Sequence, residues 1–334
     1  MDHPNPQRRK PVDGKLLANL CLKVNFKLGG RSHEVEPWCG ASPESMIVGA
    51  DVTHSGKGRD PNTPSLSGVV ATCSEHPSQY LASARLQTNN TEHIEDLAGM
   101  MTERVLAYYR LRKTMPLNIL FYRDGVSESQ YGMVYLEELP QIEAGCKEAI
   151  KHLGLMSRCP KITLIVVGKR HHTRFYQPEA APVTIRSNNL KPGLIVDHSV
   201  ISPDRSSFFL QSHESANPNS NGKTPFNGHT ARSSHYVITS DGIGFTPKKI
   251  QEITHSICFT GARATTSLSV CTPARYADRL CDRLRCYIRP VLEGDMQHGR
   301  TLDQYRACTT TWNAPREGRS NPWEPRLNDV MFYL

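Results

Sequence analysis

The 334-residue sequence contains no run of about 18 apolar residues, so it offers no candidate membrane span. Its opening stretch, MDHPNPQRRKPVDGK, has no apolar core of the kind a secretory signal needs. No Cys-x-x-C pair occurs among its ten cysteines, and their spacing is irregular. That argues against a zinc site and against a disulfide framework, and it fits reduced thiols in a cytosolic or nuclear protein. There is no internal repeat. Nothing in the composition is extreme either: 38% hydrophobic and 22% charged residues are the proportions of an ordinary globular chain. The length allows one large domain or two modest ones, with room for a sizeable core.

What the sequence does have is positive charge. Forty basic against 32 acidic residues give +8, with fourteen histidines besides. This favours a polyanionic partner without identifying one.

Along the chain, residues 1–14 are polar and expected to be disordered. KLLANLCLKVNFKLGG (15–30) begins as a helix and ends at Gly29-Gly30. SMIVGADVTH, GVVATCS and QYLASARLQT read as three strands of an antiparallel meander. In residues 91–113, Ile94, Leu97, Met101, Val105 and Tyr108 recur at spacings of three and four, which predicts an amphipathic helix. LNILFYRDG is a buried strand. The stretch that follows is mostly helical with a break expected near Pro140, and KITLIVVG (161–168) is another buried strand. The order strand, strand, strand, helix, strand, helix, strand predicts an α/β fold with a mixed sheet. Helices are expected in FTPKKIQEITHSICFTG and in TPARYADRLCDRLRCYIRP, and a polar loop between 212 and 236. The last forty-odd residues read as irregular, with a docked apolar end, NDVMFYL.

Two strands end alike, IVGAD at Asp51 and LFYRD at Asp124. One strand-end Asp before Gly is ordinarily a turn former. Two on neighbouring strands of an α/β sheet converge where ligands bind. There they repel unless cations lie between them, and hard oxygen donors suit Mg²⁺ or Mn²⁺. Two more acids have bland local explanations. Glu92 in NNTEHIEDL reads as helix-start chemistry with Asn90 or Thr91 as cap. Asp278 in RYADRL reads as one half of a surface i,i+4-type ion pair, with Arg275 or with the neighbours of Asp282. Lys23 and Lys27, four apart, read as a solvated helix face.

These stretches, with KRHHTRF, PGLIVDHSVISP, FFLQSH and TARSSHY, occur in an order that resembles the PIWI domain of eukaryotic Argonaute proteins, a filamentous-fungal member in overall flavour. The resemblance covers roughly residues 15–290. It implies an RNase H-like mixed sheet with flanking helices over 43–334, preceded at 15–42 by the end of a MID domain and a linker. It implies a catalytic set of Asp51, Glu92, Asp124 and Asp278. Of these, Asp51, Asp124 and Asp278 would hold two Mg²⁺ (Mn²⁺ as substitute), and Glu92 would act as a mobile finger. It implies a guide 5′-phosphate site at Lys23, Lys27, Arg283 and the C-terminal Leu334. Guide-backbone contacts are implied at Lys169, Arg170, Arg174, His213, Arg232, Arg263 and Ser269. The partners implied are a small guide RNA, a complementary target RNA and other silencing-complex proteins, in the cytoplasm or also the nucleus. Two departures from the family pattern are Ser55 after VTH and Thr266 where a basic residue is frequent. The upstream N-terminal, PAZ and most MID regions are absent from the sequence. Two functions therefore stay open: a guide-directed endoribonuclease, and a non-cleaving RNA-binding or docking lobe.

Overall fold

The computed structural model describes residues 14–35, 44–54, 62–74, 77–176, 190–213, 231–263, 265–293, 301–314, 321 and 323–334. Of residues 1–14, expected to be disordered, 1–13 lie outside them and Gly14 opens a helix; of the polar loop expected between 212 and 236, residues 214–230 lie outside them.

Helix α1 (Gly14–Lys27) leads into the meander β1 (Ser45–Thr53), β2 (Ser65–Thr72) and β3 (Tyr80–Gln87). Helix α2 (Leu97–Arg112) and strand β4 (Asn118–Asp124) follow. The chain then stays helical through α3 (Tyr131–Met133), a π turn (Val134–Glu138) and α4 (Leu139–His152) before strand β5 (Lys161–Gly168). Three further strands, β6 (Leu194–Val196), β7 (Ser207–Gln211) and β8 (Ser234–Asp241), precede helices α5 (Pro247–Ile257), α6 (Thr272–Glu293) and α7 (Leu302–Asn313). Among the described residues, eight strands form one mixed sheet in the order β3-β2-β1-β4-β5-β8-β7-β6. The pairs β1–β4 and β4–β5 are parallel; β1–β2 and β2–β3 are antiparallel, as the meander requires.

The sheet is buried on both faces, and the period of two sorts its side chains. Ile47, Leu120, Tyr122, Ile165 and Val167 point to the face covered by α5, α6 and the C-terminal residues. Met46, Val48, Ile119, Phe121, Leu164 and Val166 point to the face covered by α2 and α4. The same parity sends Asp51 and Asp124 toward α6, and Arg123 to the opposite face.

Helix α6 lies unusually close to β1. A Cβ on Gly49 would sit 2.1 Å from the Pro273 carbonyl oxygen, so only glycine permits this approach. The Cys281 thiol, also on α6, reaches the Asp51 carbonyl at 3.5 Å. At the sheet edge, the Asn313 side chain accepts from Leu86 N at 3.0 Å and donates to Leu86 O at 2.6 Å, standing in for a neighbouring strand.

Three sequence expectations are corrected. Helix α2 begins at Leu97 rather than near residue 91, and its cap is Asp96, which accepts from Gly99 N, not Asn90 or Thr91. No break occurs at Pro140. Pro140 lacks the N–H that would bond the Leu136 carbonyl, and the wider π turn just before it accommodates that loss while the helix continues. The last forty-odd residues, read as irregular, contain α7, opened by a Thr301–Gln304 capping box. The docked C-terminus is observed: Met331, Phe332, Tyr333 and Leu334 are all buried.

Candidate nuclease and anion-binding sites

The parallel register pairs Ala50 with Arg123, which brings Asp51 level with Asp124 on the α6 side of the sheet. After Asp124 the chain turns at Gly125, whose φ is +91°. A Cβ there would lie 2.7 Å from Asp51 Oδ1 and 3.8 Å from Glu92 Oε1, so three of the four candidate acids crowd around this one turn. Asp278 faces them from α6. Burial, followed by the neighbouring Asp124 and more weakly Asp278, holds the Asp51 carboxyl well above the usual carboxylate range. Burial pushes Asp124 up to about 6, with Asp278 adding to the rise and the Gly125 amide opposing it. Asp278 is raised too, chiefly by burial.

Two of the acids are engaged elsewhere. Asp278 Oδ2 accepts from Arg275 Nη1 at 2.6 Å, the surface pair that local sequence suggested. Glu92 Oε2 lies 2.8 Å from His54 Nε2, and His54 Nδ1 lies 2.7 Å from Ser65 Oγ. Glu92 Oε1 is buried and has no hydrogen-bond partner among the described residues, although Arg123 Nη2 is 3.6 Å away. Among the described residues no three His, Cys, Asp or Glu side chains are drawn into a ready-made metal cluster. The donor chemistry nevertheless fits a hard divalent cation: buried carboxylates that raise one another's pKa, and one orphaned carboxylate oxygen at their side.

Cations line the approach. Lys169 Nζ donates to Ser269 Oγ, and Arg232 Nη1 to the Lys169 carbonyl at 3.5 Å. Burial, then Arg275 and Arg232, lowers the Lys169 pKa, while Asp124 opposes the shift. His213 is pushed down to about 4 by burial and then by Lys169. Arg170 is exposed beside them. Arg174 is spent inside its own loop, donating to the His171 and Thr173 carbonyls at 2.9 and 2.8 Å.

A second basic cluster forms where α1, α6 and the C-terminus meet. Lys27 Nζ donates to the Phe332 carbonyl at 2.7 Å, and Arg283 Nη2 to the Leu334 carbonyl at 3.3 Å. Lys23 is lowered by burial and then by Arg263, Arg283 and Arg279. Lys27 is lowered by burial and then by Arg283, Lys23 and Arg263. Cations pressed together in this way make a site for a multiply charged anion. Arg263 thus stands with the terminal cluster and not with the Lys169 group.

Sequence reasoning passed over His54, Arg123, Glu138 and Arg279, and named Arg275 only as a surface ion-pair partner of Asp278. Arg123 did carry a signal, a lone charge inside an apolar strand. The others gave none that local chemistry could separate from a solvated surface.

Solved structures share this architecture. The C-terminal lobe of a budding yeast Argonaute matches with a TM-score of 0.79 at 24% identity, covering 95% of this chain and 60% of that one. A Kluyveromyces polysporus Argonaute with a guide RNA matches at 0.77 and 25% identity, covering 95% of this chain and 34% of that one. Drosophila Piwi matches at 0.66 and 20% identity, covering 95% and 35%. The chain therefore spans less than two thirds of the length of each. The Piwi domain model matches residues 5–289, most of the sequence, and with the eight-stranded mixed sheet and its flanking helices this places the chain in the Piwi domain family, with its RNase H-like fold.

Proposed function

We propose that this chain is the catalytic part of a guide-RNA-directed endoribonuclease that hydrolyses a phosphodiester of a complementary RNA, leaving a 3′-hydroxyl and a 5′-phosphate. The observation that carries this reading is the meeting of Asp51 and Asp124, at the ends of two adjacent parallel strands, with Asp278 in the second turn of α6, all three with raised pKa values.

In this reading Asp51, Asp124 and Asp278 hold two divalent ions, Mg²⁺ or Mn²⁺, which when bound activate the attacking water and offset charge on the leaving oxygen. Glu92 accepts a hydrogen bond from the water and fixes its direction of attack. His54 keeps Glu92 in place. Lys169, Arg170, Arg232, His213 and Ser269 hold backbone phosphates without reading bases, which leaves sequence selection to pairing. Lys23, Lys27, Arg263, Arg279 and Arg283 take the guide's terminal phosphate, with the Leu334 end tethered beside them. Arg174 contributes by shaping its loop.

The test is a cleavage assay with the chain, a 5′-phosphorylated guide, a complementary RNA and Mg²⁺, with EDTA as control. A single guide-defined cut is expected, abolished in Asp124→Ala while duplex binding persists. Mg²⁺-dependent cutting by Asp124→Ala would overturn the assignment. A second reading, a small-RNA-binding lobe that does not cut, is favoured by the Arg275–Asp278 pair, which ties up one ligand. Guide binding with no cut, even when the chain is placed in a full-length Argonaute context, would establish that reading.

A further inference from the structure

We propose that Glu138 is a positioning residue that fixes the Glu92-bearing segment against the strand-end carboxylates, through the Arg123 guanidinium and the Ile94 amide. Residues 88–96 form no regular helix or strand, so the place of Glu92 depends on what grips this segment from outside. Glu138 and Arg123 are both fully buried. Arg123 Nε meets both Glu138 oxygens, at 3.1 and 3.0 Å, and Ile94 N donates to Glu138 Oε1 at 3.1 Å. The rest of the guanidinium is aimed at the chemistry: Nη1 donates to the Asp124 carbonyl and Nη2 to the Glu92 carbonyl. One carboxylate on the helical segment therefore ties together the end of β4 and the backbone at Glu92 and Ile94.

The local fold presents Glu138 for this task. It closes the π turn, where Leu139 N bonds the Val134 carbonyl. One extra residue in that turn lets Tyr135, Leu136 and Glu137 face solvent while Val134, Glu138 and Ile142 keep to the buried side. A buried ion pair adds little net stability over an apolar pair of equal volume. What Arg123–Glu138 adds is direction: with Glu138 gone, Arg123 is free to turn onto Asp51 or Glu92 itself. Gln141 grips the same segment separately, donating to the Ile94 carbonyl at 3.0 Å and accepting from Leu97 N and Ala98 N at 3.0 and 3.3 Å.

The proposal rests on the nuclease reading only for its activity arm. In Glu138→Gln, amide hydrogen exchange should quicken about tenfold at Ile94 and its neighbours, with β1, β4 and β5 unchanged. Single-turnover cleavage should slow about tenfold or more at unchanged duplex affinity. Wild-type exchange at Ile94, or faster exchange spread evenly through the sheet, would overturn the proposal. Should Glu138→Gln not fold, Gln141→Leu decides: Leu97 and Ala98 should lose protection while Ile94 keeps it, and loss at Ile94 would refute the role given to Glu138. A wild-type chain that never cuts removes the nuclease reading and leaves the exchange result standing.

Discussion

At the residue scale, the four acids differ in how much of their role shows in the sequence. Asp51 and Asp124 share a pattern, an apolar strand run into an acid, and strand parity turns them to one face. Because the Asp124 carboxyl is lifted from 3.8 to about 6 in the folded chain, it contributes stability below its unfolded value, and that stability is lost as pH rises through about 6. Without divalent ions, the melting temperature should therefore fall as pH climbs from about 4 to about 6.5. Asp124→Asn should flatten this fall, melt higher at neutral pH and abolish cutting; an equally steep fall in the variant would show that another group is responsible. Glu92 and Asp278 are hidden in the local sequence because a helix start and a surface ion pair explain them just as well. In the structure Asp278 does make that pair. Arg275→Gln should release it, and calorimetric Mn²⁺ binding should tighten by roughly two- to fivefold, the scale of a solvent-screened ion pair. Weaker Mn²⁺ binding in this variant would mean that Arg275 supports the site instead of competing for it.

At the element scale, the central strands are legible because a sheet covered on both faces demands continuous apolar runs, and β1, β4 and β5 supply them. Helix α7 is not, because LDQYRACTTTWN carries too few apolar residues to mark a face; Tyr305 is its one buried side chain among the described residues. The start of α2 was misplaced for a related reason. Several residues before Leu97 can cap a helix, and only the tertiary bonds of the Glu92 segment select Asp96. The value of α7 lies at its last residue, where Asn313 covers the β3 edge. Asn313→Ala should cost about 1–2 kcal/mol, the loss of two half-buried hydrogen bonds. It should also promote self-association through the bared edge, seen as a concentration-dependent shift in sedimentation. A monomeric variant of wild-type stability would show that the edge needs no cover.

Across the whole molecule, two basic clusters flank the carboxylates, joined by Arg275, Arg279 and Arg283 at four-residue intervals along α6. Charge alone favoured a polyanion, and the family resemblance grouped Lys23, Lys27, Arg283 and Leu334; the fold brings these residues of α1, α6 and the C-terminus, far apart in sequence, into one basic cluster. Guide binding should weaken steeply with salt, and Lys23→Ala should reduce the slope of log K against log salt by roughly 0.7–1. An unchanged slope would remove Lys23 from the phosphate site. The separation of Asp278 from Asp51 is set by neither acid but by the absence of a side chain at Gly49, against which the first turn of α6 rests. A single methyl group there would lift the helix and part the two halves of the site. On the proposed nuclease reading, a related chain that kept every acid but not this glycine would no longer cut, because the site depends on a spacing that a census of carboxylates would miss.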